Sequence, residues 1–82
     1  MTRDEFTERL VAYINEELLD PDVPRVQADT NLFTGEVLDS LRLVHLLAFV
    51  EHAIDATIPD EEIVMDRFAT VEHIAASFWR DG

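Results

Sequence analysis

The sequence predicts an all-α domain, a small helical bundle of three main helices plus one short helix before the last. Three observations carry that expectation. Apolar residues recur at spacings of three and four in separate stretches, which is helical rather than strand periodicity. A hydrophobic share of 48% with only two glycines and three prolines is too apolar for a disordered chain. No β-hairpin signal, internal repeat or low-complexity tract breaks the pattern. The 82 residues suffice for one small domain, 1–82, with its core over about 4–79. At that size only roughly 60–65% of the unfolded surface can be buried, which leaves little room for a deep enzymatic cleft.

Residues 4–19, "DEFTERLVAYINEELL", predict the first helix, with Phe6, Leu10, Tyr13, Ile14 and Leu18 on one stripe. Asp4 and Glu5 suit the positive end of its dipole, and Pro21 and Pro24 stop it. Residues 20–38 make a connection longer than packed helices usually need. Val26, Leu32 and Phe33 are expected to pin it to the core through a turn near 30–33, and Gly35 can supply a positive φ. The second helix is expected from Ser40 to about Ala56. On a helical wheel, Leu43, Leu46, Leu47, Val50 and Ile54 form its core stripe. Leu41, Val44 and Ala48 form a second apolar stripe, and Arg42, His45, Phe49 and His52 a third face. "DEEIVMDRF" after Pro59 predicts a short helix or helical turn started by the proline and its acids. Thr70 is the expected N-cap of the last helix, carrying Val71, Ile74, Ala75 and Phe78 inward, with Trp79 over the core edge and "RDG" as a frayed tail.

Eighteen acidic residues face six arginines and no lysine, a formal net charge of -12. Such a field repels phosphate backbones, so nucleic acid is a poor partner, whereas a basic protein surface is attracted. Acidity of this kind also serves plain solubility. The chain has no cysteine, which excludes disulfides, thiolate metal sites and a side-chain thiol nucleophile. "MTRDEFTERL" lacks the apolar run of a signal peptide, and Leu46 to Val50 is far too short to span a bilayer. The expectation is a cytoplasmic monomer that does not insert into membranes.

The least routine stretch is "GEVLDSLRL", residues 35–43, which delivers Asp39-Ser40-Leu41 to the front of the most apolar helix. Ser40 stands where a helix N-cap is expected. His45 lies on a different face from a serine at the helix start, so a Ser-His pair is not indicated and a small hydrolase is disfavoured. His45 and His52 are two turns apart, too far for a compact metal site, and the acids at 60–62 lack calcium-loop spacing. No metal site and no catalytic residue are expected.

"LFTGEVLDSLRLVHLLAFVEHAIDATIP" resembles the acyl carrier protein family of phosphopantetheine-binding carriers. The likeness lies in Asp39-Ser40-Leu41 with a leucine-rich helix after it, the Ile58-Pro59-Asp60 stretch, and "FATVEHIA" at the start of the last helix, so it covers nearly the whole chain. The resemblance implies that a phosphopantetheinyl transferase esterifies Ser40 with 4'-phosphopantetheine from coenzyme A. The terminal thiol of that arm then holds an acyl or aminoacyl group as a thioester, which accounts for a carrier without cysteine. Asp39 would position the serine and the transferase's magnesium site. The carrier itself would be a shuttle and no enzyme.

On this resemblance Leu41, Val44 and Ala48 become a docking stripe for partner enzymes. Glu36, Asp39, Glu51 and Asp55 would frame it, Asp60, Glu61 and Glu62 would extend it, and Arg42 and His45 would tune which enzymes accept it. Arg42 and His45 depart from the more acidic pattern of fatty-acid carriers. "GEVLDSL" is closer to stand-alone acyl or aminoacyl carriers of polyketide and nonribosomal peptide pathways, with a D-alanyl carrier of cell-wall modification or a fatty-acid-type carrier as alternatives. The implied partners are the transferase, a separate adenylating or acyltransferase loading enzyme, and a downstream acyl-accepting enzyme. An acidic helical adaptor that binds a basic protein and carries nothing remains the competing class.

Overall fold

The computed structural model describes residues 2–19, 22, 24–33 and 39–79, with the side chain of Ser40 left outside that description. The expected helix stop at Pro21, the turn at Gly35, the docking residue Glu36 and the tail at 80–82 therefore lie outside the described residues.

Thr2, not an acid at position 4, begins the first helix. Its hydroxyl oxygen accepts the Glu5 N–H at 3.1 Å, which satisfies one of the donors a helix start leaves over. Helix α1 then runs Arg3–Tyr13 and widens into a π-helical turn, Ile14–Leu18, closed by the Leu19 N–H on the Ile14 carbonyl at 3.0 Å. The expected single α-helix to residue 19 is thus two segments sharing one inward stripe of Phe6, Leu10, Ile14 and Leu18.

The connection after it is fastened at both ends of its described part. Asn15, on the π-helical turn, donates from Nδ2 to the Val26 carbonyl at 3.0 Å and accepts the Val26 N–H on Oδ1 at 2.7 Å. Leu32 donates its N–H to the Ala69 carbonyl at 2.7 Å, and Glu72 donates its own to the Ala28 carbonyl at 3.0 Å. Val26 and Leu32 are buried and Phe33 is partly buried, as expected, and the chain turns at 28–29 and again at 32–33. Asn15→Ala strips both bonds from the part-buried backbone N–H and carbonyl of Val26 and is expected to cost about 1–3 kcal/mol. Urea denaturation and loss of amide-exchange protection at Val26 check this.

Helix α2 spans Ser40–Ile54. It ends two residues before the expected Ala56, because Asp55 adopts a left-handed conformation (φ 54, ψ 45). That geometry lets the Asp55 N–H reach the His52 carbonyl at 3.3 Å and the Ala56 N–H reach the Glu51 carbonyl at 3.1 Å. Asp55→Val is expected to lose about 1–2 kcal/mol, since a β-branched residue is strained there. Asp55→Gly should match or exceed the parent; urea midpoints with unchanged slope are the check.

The acidic stretch after Pro59 is not one helix. A 3-10 turn, Asp60–Glu62, is followed by the extended residue Val64 and a separate helix α3, Met65–Phe68. Pro59 precedes the turn as its cap rather than serving as its first helical residue. Helix α4, Val71–Phe78, is capped by Thr70, whose oxygen accepts the His73 N–H at 3.1 Å and lies 2.6 Å from His73 Nδ1.

These elements form the predicted small all-α bundle, and the described residues contain no strand. Helix α1 packs on α4, α4 on α3, and α2 against the π-helical turn. Leu10, Ile14, Leu46, Val50, Phe68 and Ile74 belong to one buried cluster. Of the predicted α2 core stripe, Leu46 and Val50 are fully buried, while Leu43, Leu47 and Ile54 are only partly so. Trp79 closes the core edge by stacking on Phe6, ring centroids 5.0 Å apart.

Candidate functional site

Ser40 is the first helical residue of α2, and Asp39, not Ser40, is its N-cap. Asp39 has extended backbone geometry; its Oδ1 accepts the Arg42 N–H at 2.8 Å and its carbonyl accepts the Leu43 N–H at 2.9 Å. Both residue types cap well, but only the carboxylate also sets a full negative charge at the positive end of the helix dipole. The next free positions at this end, the N–H groups of residues 40 and 41, have no acceptor inside the helix and favour an anion attached beside them.

Beyond the first turn, α2 divides into an inner and an outer face. Leu41 is 68% exposed and Val44 60%, and Ala48, His45 and His52 are exposed with them. Arg42 and Phe49 are half-buried, and Phe49 stacks on Tyr13 with centroids 4.3 Å apart. Tyr13 also donates its hydroxyl to the His45 carbonyl at 3.4 Å. The expected third face is therefore split. Its Phe49 edge turns to α1, whereas His45 and His52 join the solvent stripe.

The predicted acidic frame is only partly available to a partner. Glu51 is half-buried, and its Oε2 accepts the Ile58 N–H at 2.7 Å, tying the chain after α2 back to the helix. Glu62 pairs with Arg67 at 2.9 Å. Asp39, Asp55, Asp60 and Glu61 are exposed. Sequence reasoning missed Val64 and Met65, 43% and 66% exposed at the start of α3. Reading "DEEIVMDRF" as a single short helix or helical turn hid them; the β-branched pair Ile63-Val64, disfavoured in helices, was the available signal. A shallow groove lined by Ala53, Ile54, Asp55, Ala56, Phe78 and Trp79 sits at the other end of α2, roughly 20 Å along the helix from Ser40.

A family model described as "Phosphopantetheine attachment site" matches residues 8–78. The chain belongs to that family. It is a phosphopantetheine carrier, and its cofactor is 4'-phosphopantetheine. The residues at the start of α2 fit the group: a hydroxyl-bearing residue type at the first helical position, a cap already made by Asp39, and helix N–H groups suited to a phosphate. When bound, the arm supplies the thiol that the carrier's own side chains lack. A comparison with curated proteins returns no match. Among the described residues of the carrier, no helix is long and apolar enough to cross a membrane, and no group of three or more histidines and carboxylates could hold a metal ion.

Proposed function

We propose that Ser40 is the attachment residue and that the carrier serves specialised biosynthesis of the polyketide or nonribosomal peptide type. It takes its arm from a phosphopantetheinyl transferase and its cargo from an adenylating enzyme or acyltransferase. It then presents that cargo to a downstream acyl-accepting enzyme, as a monomer in the cytoplasm. The observation that carries this reading is Asp39-Ser40-Leu41 at the first turn of α2, inside the span matched by the attachment family. Asp39 supports this reading by fixing the start of the helix whose first residue is Ser40. Arg42 and His45, where a fatty-acid carrier resembles a more acidic pattern, support the specialised assignment.

Leu46 and Val50 are fully buried, and opening room for a long alkyl chain between them costs contacts. Cargo of the expected class, an aminoacyl or short acyl unit, stays outside the bundle. The test is to install the arm, load it with octanoyl, aminoacyl and malonyl-type groups, and record amide and methyl chemical shifts. Small changes at Leu46 and Val50 for all three are expected. Large changes there with octanoyl would instead assign a carrier of growing fatty chains.

A further inference from the structure

The clamp between Asn15 and Val26 fixes the connection beside the end of the first helix, and an open groove runs between the two. Its floor is apolar: Val26 is buried, Val11 and Ala28 are half-buried, and Ala12 is exposed. Glu8 and Glu16 stand at the two ends of the helix rim, about 12 Å apart along the axis, and Arg25 stands on the opposite wall. All three are exposed, and no hydrogen bond or ion pair ties their side chains among the described residues. None of the residues that line the groove belongs to α2. Val11 and Tyr13, two positions apart, lie about 160° apart around α1. Tyr13 turns towards α2 by stacking on Phe49, so Val11 and the groove face the other way.

We infer that this groove docks a basic amphipathic helix of another protein, laid along α1 with its apolar side down and two lysines or arginines about two turns apart over Glu8 and Glu16. Binding there neither uses residue 40 nor depends on the carrier reading. Helical side chains two turns apart share a face and are separated by roughly 11 Å, which matches the spacing of the two acids. Arg25 sets the orientation, because it repels basic groups from the opposite wall and directs them to the α1 rim. A small ligand fits less well, since the polar groups stand along the rims and do not converge on one point. A second copy of this chain does not fit either. Two chains of net charge -12 repel, and the arginines of α1, Arg3 and Arg9, are about 120° apart around the helix and cannot both face the acids. A partner held in the groove leaves α2 uncovered.

The probe is a synthetic amphipathic peptide of about 18 residues, with a leucine stripe flanked by two lysines about two turns apart. A scrambled peptide of equal charge and a version with both lysines replaced by glutamate are the controls. Affinity is measured by titration of the full chain, and amide and methyl chemical shifts locate the peptide. Shifts at Val11, Ala12, Val26 and Ala28 are expected, with Leu41 and Val44 unmoved. Combining Glu8→Lys with Glu16→Lys should weaken binding about tenfold, and Arg25→Glu should tighten it about threefold, with circular dichroism confirming each fold. Absent binding, equal binding by the scrambled or glutamate peptide, shifts centred on α2, or indifference to the Glu8 and Glu16 substitutions overturns the inference. So does self-association of the chain that shifts the groove residues as concentration rises. The titration needs no arm, so a chain that is never modified overturns the carrier reading and leaves the groove assignment standing.

Discussion

Val50→Asp is expected to leave the chain without a stable folded state at 25 °C. Val50 is 0% exposed, and its cluster includes Leu10, Ile14, Leu46 and Ile74 from three helices. Among the described residues, no polar or charged side chain is buried there to receive a carboxylate. Desolvating the new group, or protonating it to avoid doing so, costs several kcal/mol. Small domains hold only about 5–15 kcal/mol in total, and an 82-residue chain stands toward the lower end. Near-ultraviolet circular dichroism is a direct readout, since Trp79 is stacked on Phe6 in the folded state and loses that environment on unfolding. The control lies six residues away. Val44→Asp introduces the same carboxylate at a position 60% exposed and should retain the native spectrum. A Val50→Asp variant as stable as the parent contradicts the packing of α2 described above.

How far the sequence revealed this arrangement depended on how local the deciding interaction was. The inward positions Leu46 and Val50 follow from helical spacing alone, because any partner helix must meet the apolar side. The helix start was ambiguous for a local reason. Asp39 and Ser40 are adjacent and both are good caps, and the choice between them needs backbone geometry. Ile14 and Leu18 are four apart, a spacing that an α-helix and a slightly wider turn both place on one side, so periodicity did not show the π-helical turn. His45 and His52 were set beside Phe49 by the wheel, which gives angles but not neighbours. Tyr13 supplies the neighbour by stacking on Phe49, and that leaves the histidines outside. The tether from Asn15 to Val26 spans an intervening loop and has no short-range signature.

Ser40→Ala is expected to abolish attachment of the arm while leaving stability almost unchanged. On the proposed assignment the serine hydroxyl supplies the oxygen of the phosphodiester, and alanine has no group to replace it. The fold should tolerate the change for a specific reason. Asp39 makes the capping bond to the Arg42 N–H, and alanine is the strongest helix former for the first position of α2. A change within about 0.5 kcal/mol is expected. Loss of modification then reports on chemistry and not on unfolding. The substitution Asp39→Ala behaves differently, since it removes the cap and should cost about 1 kcal/mol as well as slowing attachment.

Intact-protein mass spectrometry after coexpression with a broad-specificity phosphopantetheinyl transferase tests the central claim most directly. The prediction is a single addition, equal to one phosphopantetheinyl group, on the peptide that contains Ser40, and no addition to Ser40→Ala. An unmodified parent with several transferases, each active on a control carrier, would contradict the account, and so would an addition that persists in Ser40→Ala.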